Sequence, residues 1–395
     1  MNRDFLPMFK SRVDVNVAIE LLKELVKIDS VNPSLVPGAK GESEIAEYIA
    51  DWLKALGLKV KVDKIEAKRY NAVGVLKGAG GGKSLMLNGH TDTVGYDYMT
   101  IDPLKPVVKE GRMYGRGTYD MKGGLVASLA ALKAVVNSGT QLRGDVVVAA
   151  VCDEEYASIG TERVMEKTRV DAAIVGESSS LQIERCHKGF AWISIETKGL
   201  AAHGSMWQVG VDAIGQMGKV LTGLEGIGAK LQQKKHPLVG PASVHSGIIK
   251  GGLELSTYPD KCLLQIERRL IPGEDLGDVE KEMETLLRGI AEKDPKFTAI
   301  YDITFYRDSM DVPETSEICQ TITKCSKDAI NLTPAFIGGS GWLDTQIIWG
   351  RGIPAVAYGP AGDGAHAAVE WVDLDTVIDA ARVQELVIRR FCGEK

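Results

Sequence analysis

The sequence predicts an α/β fold, a mostly parallel sheet with helices on both faces, and a smaller inserted domain of the α+β type. Short apolar runs alternate with segments that repeat apolar residues at positions i, i+3 and i+4, as strands linked by helices do. The run Val146–Val151 is apolar throughout, which is typical of a strand buried on both faces. The length of 395 residues favours two domains.

The first part of the chain follows this alternation. Helix patterns cover residues 15–28, 42–56 and 124–137, and the first two have clear helical spacing of their apolar residues. Strands are predicted at residues 58–65, 71–78, 85–90, 145–151 and 172–178.

The pattern changes after Gly189. The segment FAWISIETKG alternates apolar and polar residues, as a half-exposed antiparallel strand does, and the order that follows is β-α-β-β-α-β. This order fits a ferredoxin-like two-layer sandwich. After Pro313 a helix, the strand IPAVAYGPA and a last helix from Leu374 to Phe391 resume the first pattern. We therefore expect a discontinuous domain of residues 1–188 and 308–395, with residues 189–307 inserted.

Composition excludes several classes of function. The net charge is −6 without a long Lys/Arg run, so neither a nucleic-acid partner nor a membrane surface is expected. No apolar run is long enough to span a bilayer, and the first residues do not resemble a secretory signal. The six cysteines lack CxxC spacing, which favours free thiols in a reducing compartment and hence a cytoplasmic location.

Acidic residues and histidines follow several of the predicted strands. Glu154 and Glu155 stand side by side after Val151, and burying adjacent carboxylates is costly unless cations neutralise them. An isolated acidic pair at a strand end is usually solvated, so the prediction depends on the whole set. Strand ends in an open α/β sheet converge on one crevice. Further candidates of this kind are His90, Asp92, Asp120, Glu177 and, in a Gly-flanked turn, His366. Nitrogen and oxygen ligands suit a catalytic zinc site, and the remaining glutamate could act as a base.

Seven motifs in order complete the sequence evidence: GHTDTV, GRGTYDMKGG, DEE, VGES, KGLAAHGS, IERRLIPGE and GPAGDGAHAAVEWV. Together they resemble the dinuclear-zinc amidohydrolases and peptidases, the family of acetylornithine deacetylase, succinyl-diaminopimelate desuccinylase, aminoacylase and glutamate carboxypeptidase. The resemblance runs through nearly the whole chain.

The resemblance implies two zinc ions per subunit, with Co²⁺ or Mn²⁺ as possible substitutes. Asp120 would bridge the ions through its carboxylate, and the peptide bond from Asp120 to Met121 would be cis. One ion would also be held by His90 and Glu177, and the other by Glu155 and His366. A bridging hydroxide would bring the charge of two Zn²⁺ ions and three carboxylates to zero.

Other residues acquire roles by the same resemblance. Asp92 would hold the imidazole of His90 by its second nitrogen. Glu154 would be the general base, taking a proton from water and passing it to the leaving nitrogen. Asp344, after a Gly-rich turn, could cap a helix or support the site, and we favour the cap.

The inserted domain would act as a lid and dimerisation domain of a homodimer. In dimeric members of the family, the histidine that corresponds to His203 reaches the active site of the partner subunit and stabilises the oxyanion. Arg269 would bind the α-carboxylate of the substrate, because its guanidinium grips a carboxylate bidentately. Ser256 stands where many members have Asn, so recognition of a free α-carboxylate is less secure than the chemistry.

Three functions are compatible with these features. The first is hydrolysis of the amide bond of an N-acyl amino acid, as in acetylornithine deacetylase or succinyl-diaminopimelate desuccinylase. The second is a dipeptidase or carboxypeptidase that uses the same dinuclear site on a dipeptide. The third, a non-catalytic binding protein, is disfavoured because Glu154 and all five predicted ligands are present.

Overall fold

The computed structural model describes residues 9–394. The chain divides into two compact units, one of Met1–Arg185, Val312–Ile337 and Leu343–Lys395, the other of Cys186–Asp311 and Gly338–Trp342. Whether they act as a catalytic domain and a lid stays a prediction. None of the helices in the described residues is both long and apolar enough to cross a bilayer. The prediction about a secretory signal concerns residues 1–8 in part, which lie outside the described residues.

The helices are α1 Val15–Lys27, α2 Ser43–Ala55, α3 Gly123–Asn137, α4 Ile159–Lys167, α5 Ala213–Leu231, α6 Leu276–Ala291, α7 Glu317–Ile330, α8 Thr345–Trp349 and α9 Leu374–Phe391. The strands are β1 Lys59–Glu66, β2 Arg69–Leu76, β3 Leu85–His90, β4 Val107–Lys109, β5 Arg112–Tyr114, β6 Val146–Val151, β7 Ala172–Val175, β8 Ile183–His187, β9 Gly189–Lys198, β10 Lys235–His236, β11 Gly240–Pro241, β12 Ser243–Gly251, β13 Lys261–Leu270, β14 Thr298–Arg307, β15 Met310–Asp311, β16 Phe336–Gly339, β17 Ala355–Ala357, β18 Gly362–Asp363 and β19 Trp371–Asp373.

The sheet of the first unit confirms the predicted α/β fold, but it is mixed. Strands β6, β3, β7 and β17 lie side by side and run parallel. Strands β1 and β2 extend this sheet from β6 in antiparallel order. Only two residues, Ala67 and Lys68, connect β1 to β2, and so short a connection permits only an antiparallel pair.

The parallel strands bring the ends of β3, β6 and β7 to one edge of the sheet. His90 is the last residue of β3, and Glu177 follows β7 by two positions. Helix α3 packs close to this edge, since a Cβ on Gly124 would lie 1.6 Å from the main-chain oxygen of Gly176. Only glycine permits this approach, which sets Asp120, just before α3, beside the strand ends.

A second, four-stranded sheet of the first unit escaped prediction. It has the order β18-β19-β5-β4, and its strands are two or three residues long. Such strands are too short to show a period of two. Helix α4 was missed as well, because its sequence IGTERVMEK is largely polar.

The second unit has the predicted βαββαβ order. Its four long strands form an antiparallel sheet in the order β12-β13-β9-β14. Apolar side chains on alternate positions of the sheet, such as Ile193 and Leu264, pack with Met217 of α5 and Met283 of α6. Strand β12 forms one edge of this sheet, and seven of its nine residues, from His245 to Gly251, are exposed.

Candidate metal centre

Two histidines and three carboxylates of the first unit come together. The Nε2 atom of His90 lies 3.1 Å from Oδ1 of Asp120 and 3.5 Å from Oε1 of Glu177. The Nε2 atom of His366 lies 2.8 Å from Oε2 of Glu155 and 3.4 Å from Oδ2 of Asp120. Each oxygen of Asp120 therefore faces a different imidazole, as the carboxylate between two metal ions would.

The donor set fits two divalent cations. Potential ligand atoms of His90, Asp120 and Glu155 all lie within 4.8 Å of one another, and so do those of His90, Glu154 and Glu177. The Oε1 atom of Glu177 is buried and accepts no hydrogen bond from the described residues. An unpaired buried carboxylate oxygen is costly, and a cation would compensate it. Imidazole and carboxylate ligands suit zinc.

The pKa values of these groups show the same need for positive charge. Burial raises the pKa of Glu155 to about 7, and Asp120 adds to the effect. Burial also raises the pKa of Glu154 and of Glu177 well above the usual value. Hydrogen bonds with Asp120 and Glu155 raise the pKa of His366 to about 10. Burial opposes ionisation of Asp120, but hydrogen bonds from His366 and His90 lower its pKa below the usual range.

Asp92 contacts the second ring nitrogen of His90 through its main chain. The Nδ1 atom of His90 lies 3.0 Å from the main-chain oxygen of Asp92 and 3.7 Å from its carboxylate. Only the first distance is a hydrogen bond. The carboxylate instead accepts the backbone N–H groups of Glu154 and Glu155, each at 3.2 Å. Asp92 thus supports the imidazole through its main chain and the glutamate pair through its side chain.

Glu154 lies at the edge of the cluster. Its Oε2 atom is 3.9 Å from Nε2 of His90, and its side chain is 11% exposed. It is close enough to serve as a base beside bound ions, and its role stays a prediction.

The segment of Asp120 is held by a carboxylate that sequence reasoning missed. Glu370 accepts the backbone N–H groups of Gly117, Tyr119 and Asp120 at 2.9 to 3.0 Å and pairs with Arg116 at 2.7 Å. All of Glu370 is buried. The bond between Asp120 and Met121 is cis, as the resemblance implied. A charged residue between Val369 and Trp371 was the only sequence signal for Glu370.

The favoured role of Asp344 as a helix cap is wrong. It precedes α8, but its side chain makes no capping hydrogen bond. Its Oδ2 atom accepts a hydrogen bond from Thr161 of α4 at 2.6 Å, and the residue is 1% exposed. Burial raises the pKa of Asp344 to about 6.

The remaining predicted residues lie in the second unit. His203 is exposed, and its Nδ1 atom lies 2.8 Å from Oγ of Ser205. The backbone N–H of Gly204 donates to the main-chain oxygen of Ser256 at 2.7 Å, so the turns of His203 and Ser256 lie side by side. Arg269 is 29% exposed in its side chain and pairs with Glu267 at 2.7 Å. Its guanidinium also lies 5.1 Å from the ring centre of Phe190.

Known proteins resemble the chain along most of its length. An acetylornithine deacetylase of Myxococcus xanthus is 29% identical over 384 residues, which cover 94% of this chain and 97% of that protein. The crystal structure of an aminopeptidase of Bacillus cereus has a TM-score of 0.79 at 18% identity, covering 96% of this chain and 99% of that one. A dinuclear metal binding peptidase of the M20 family from Bacillus subtilis has a TM-score of 0.70 at 16% identity, covering 95% and 98%.

The two structural matches establish the fold, and the family follows from the sequence. Residues 86–390 match the model of peptidase family M20/M25/M40. The resemblance seen in the motifs is thereby confirmed: the chain belongs to peptidase family M20/M25/M40 and is a metal-dependent hydrolase.

Proposed function

We propose that this protein hydrolyses the amide bond of an N-acyl amino acid, with two zinc ions per subunit and Glu154 as general base. The observation that carries the proposal is Asp120, whose two oxygens face His90 and His366 in turn. Glu177 and Glu155 supply a further carboxylate beside each imidazole. Co²⁺ or Mn²⁺ would accept the same donors.

The chemistry divides between the ions and the protein. Zinc ions held by these residues would acidify water and polarise the carbonyl that is attacked. Glu154 takes the proton from that water and delivers it to the leaving nitrogen. Asp92 holds the backbone of Glu154, and its carbonyl oxygen fixes the tautomer of His90.

The second unit would complete the site in a homodimer. Ser205 lies beside Nδ1 of His203, so Nε2 is the nitrogen available to the substrate oxyanion. Ser256, whose turn is bonded to that of His203, would contact the substrate as well. When substrate binds, Arg269 would leave its ion pair with Glu267 and bind the α-carboxylate of the substrate. Strand β12 lies exposed at the edge of its sheet, and two copies could pair along it about a two-fold axis.

The acyl amino acid is favoured over other substrates by the curated relatives, which are named acetylornithine deacetylase at 27–29% identity. A dipeptidase or carboxypeptidase is the second candidate, because the family model that matches residues 86–390 is one of peptidases. Both substrates are small molecules, and the proposal includes neither a nucleic-acid nor a membrane partner. All six cysteines lie within the described residues, where they are buried and form no disulfide bond, which supports a reducing, cytoplasmic location.

Zinc content and a substrate panel test the proposal together. We expect zinc in the purified protein and release of free amino acid from N-acetyl or N-succinyl amino acids. Cleavage of dipeptides alone would replace the first candidate with the second. A zinc-loaded protein that cleaves none of these substrates would contradict both.

A further inference from the structure

Asp153 has a backbone conformation that residues with a side chain rarely adopt. Its φ angle is +70°, in the left-handed region, and it directly precedes Glu154 and Glu155. Its main-chain oxygen accepts the N–H groups of Tyr156 and Ala157 at 3.3 and 3.1 Å. The chain therefore turns at Asp153, immediately after β6, and this turn brings both glutamates beside the two imidazoles.

The side chain of Asp153 is held by two buried residues. Arg69, the first residue of β2, makes a short ion pair with it through Nη2. Asn32 donates from Nδ2 to Oδ1 of Asp153 at 3.1 Å, and Arg69 donates to Oδ1 of Asn32 at 2.8 Å. Arg69 and Asp153 are 2% exposed and Asn32 is fully buried. Glu42, 3.0 Å from Nη1 of Arg69, provides a second carboxylate for the guanidinium.

Asn32 also reaches the other anchor of the glutamate pair. Its Nδ2 atom donates to Oδ2 of Asp92 at 2.8 Å. The carboxylate of Asp92 accepts the backbone N–H groups of Glu154 and Glu155. The side-chain amide of Asn32 thus links Asp153, which precedes the two glutamates in sequence, to Asp92, which accepts their backbone N–H groups.

We propose that Arg69 and Asn32 are positioning residues, which set the geometry of Glu154 and Glu155 by holding Asp153 in its left-handed conformation and Asp92 against their amides. Within the described residues neither side chain hydrogen-bonds to a predicted metal ligand, so both act through other residues. The inference rests on the proposed roles of Glu154 as base and Glu155 as ligand. A displacement of about 1 Å in such groups can cost about a hundredfold in rate.

A comparison of Asp153→Gly with Asp153→Ala tests the first half of this inference. Both variants remove the carboxylate, but only glycine adopts a positive φ without a steric penalty. We expect kcat of the alanine variant to be lower than that of the glycine variant by about tenfold, with KM similar in the two. A purely space-filling role predicts the opposite order, because alanine leaves the smaller cavity. An alanine variant as active as the glycine variant, or more active, would overturn the inference.

Zinc content after substitution of Arg69 tests the second half without depending on a substrate. We expect Arg69→Met to fold, to lose zinc, and to lose about a hundredfold in kcat at saturating zinc with KM little changed. Arg69→Lys should restore part of the zinc content and part of kcat. Lysine keeps the positive charge but lacks the planar guanidinium that reaches three partners.

The matched control is Arg389→Met, which breaks a buried ion pair with Glu385 inside α9 at 3.0 Å. It should lower the Tm and leave zinc content and kcat unchanged. If Arg69→Met behaves like Arg389→Met in both readouts, the inference is wrong. If Arg69→Met does not fold, the comparison at Asp153 decides.

The two proposals fail separately. Wild-type protein that binds zinc but cleaves no N-acyl amino acid would end the proposed substrate class, while the zinc content of the Arg69 variants would still test positioning. Normal deacylation by the wild type, together with unaltered zinc content in Arg69→Met, would end the positioning proposal and leave the proposed substrate class intact.

Discussion

The contacts of single residues explain why the cluster around Asp120 is a candidate metal site and not a group of solvated acids. Asp120 and Glu177 come from segments far from His90 in sequence, yet an oxygen of each lies within 3.5 Å of Nε2 of His90. Motifs predicted these residue types and their roles. Asn32 and Arg69 were not predictable, because their partners are buried side chains that lie up to 121 positions away in sequence.

Replacement of Glu154 by alanine separates catalysis from metal binding. The side chain would donate no essential metal ligand, so Glu154→Ala should keep its zinc and lose at least ~10²-fold in kcat. Metal analysis and steady-state kinetics check this. Glu155→Ala is the matched variant, since it should lose zinc as well as activity. Near-normal turnover of Glu154→Ala would remove this residue from the mechanism.

The titration of the metal-free protein provides a second prediction. The pKa of Glu155 is raised from 4.5 to about 7, so the folded state binds more protons than the unfolded state within this range. The free energy of unfolding must then fall as the pH rises through that window. His366, raised from 6.5 to about 10, extends the decline to higher pH, because its protonated form stabilises the fold.

Thermal unfolding of the metal-free protein at several pH values measures this effect. We expect the Tm to fall as the pH rises from 4.5 to about 7. Zinc should reverse the trend, because metal binding requires the deprotonated ligands. In Glu155→Gln the decline should be smaller. A Tm that rises with pH over this range in the metal-free protein would contradict the raised pKa values of Glu155 and His366.

Elements were predictable where they are long and periodic. Helix α1 was predicted at residues 15–28 and found at Val15–Lys27, with Asp14 as its N-cap. The antiparallel edge of the first sheet, the short strands of the four-stranded sheet in the first unit and α4 were not predicted. A short segment contains too few residues to show a period, and the direction in which two strands pair leaves no periodic pattern in either strand.

The close contact of α3 with the end of β7 leaves no space for a side chain at Gly124. Gly124→Ala would place its Cβ against the backbone oxygen of Gly176, so helix and strand must separate. We expect a loss of roughly 1–3 kcal/mol in the free energy of unfolding, and lower zinc affinity because Asp120 lies just before α3.

The matched control is Gly218→Ala in α5, where the added Cβ meets no atom of the described residues within 4 Å beyond its chain neighbours and the backbone of its own helix. It should stabilise the protein by up to about 1 kcal/mol, since alanine favours helix. Denaturant unfolding of both variants checks the pair. Equal stability of Gly124→Ala and wild type would refute the close contact.

At the scale of the whole molecule, the proposal makes each active site depend on two subunits. The first unit carries Glu154, the proposed base, and the second carries His203 in an exposed turn, where Nδ1 of the imidazole faces Ser205. Glu154→Ala and His203→Ala should each be inactive alone. If His203 acts in the partner subunit, a mixed dimer contains one site in which both residues are intact.

Mixing the two inactive variants therefore tests the homodimer and the role of His203 together. After complete exchange of equal amounts, activity should return to about a quarter of the wild-type value, because about half of the dimers are mixed and each has one intact site of two. Exchange is followed by mass spectrometry of tagged subunits, and unmixed variants at the same concentration are the control. Subunits that exchange without recovery of activity would show that His203 acts within its own subunit or not at all.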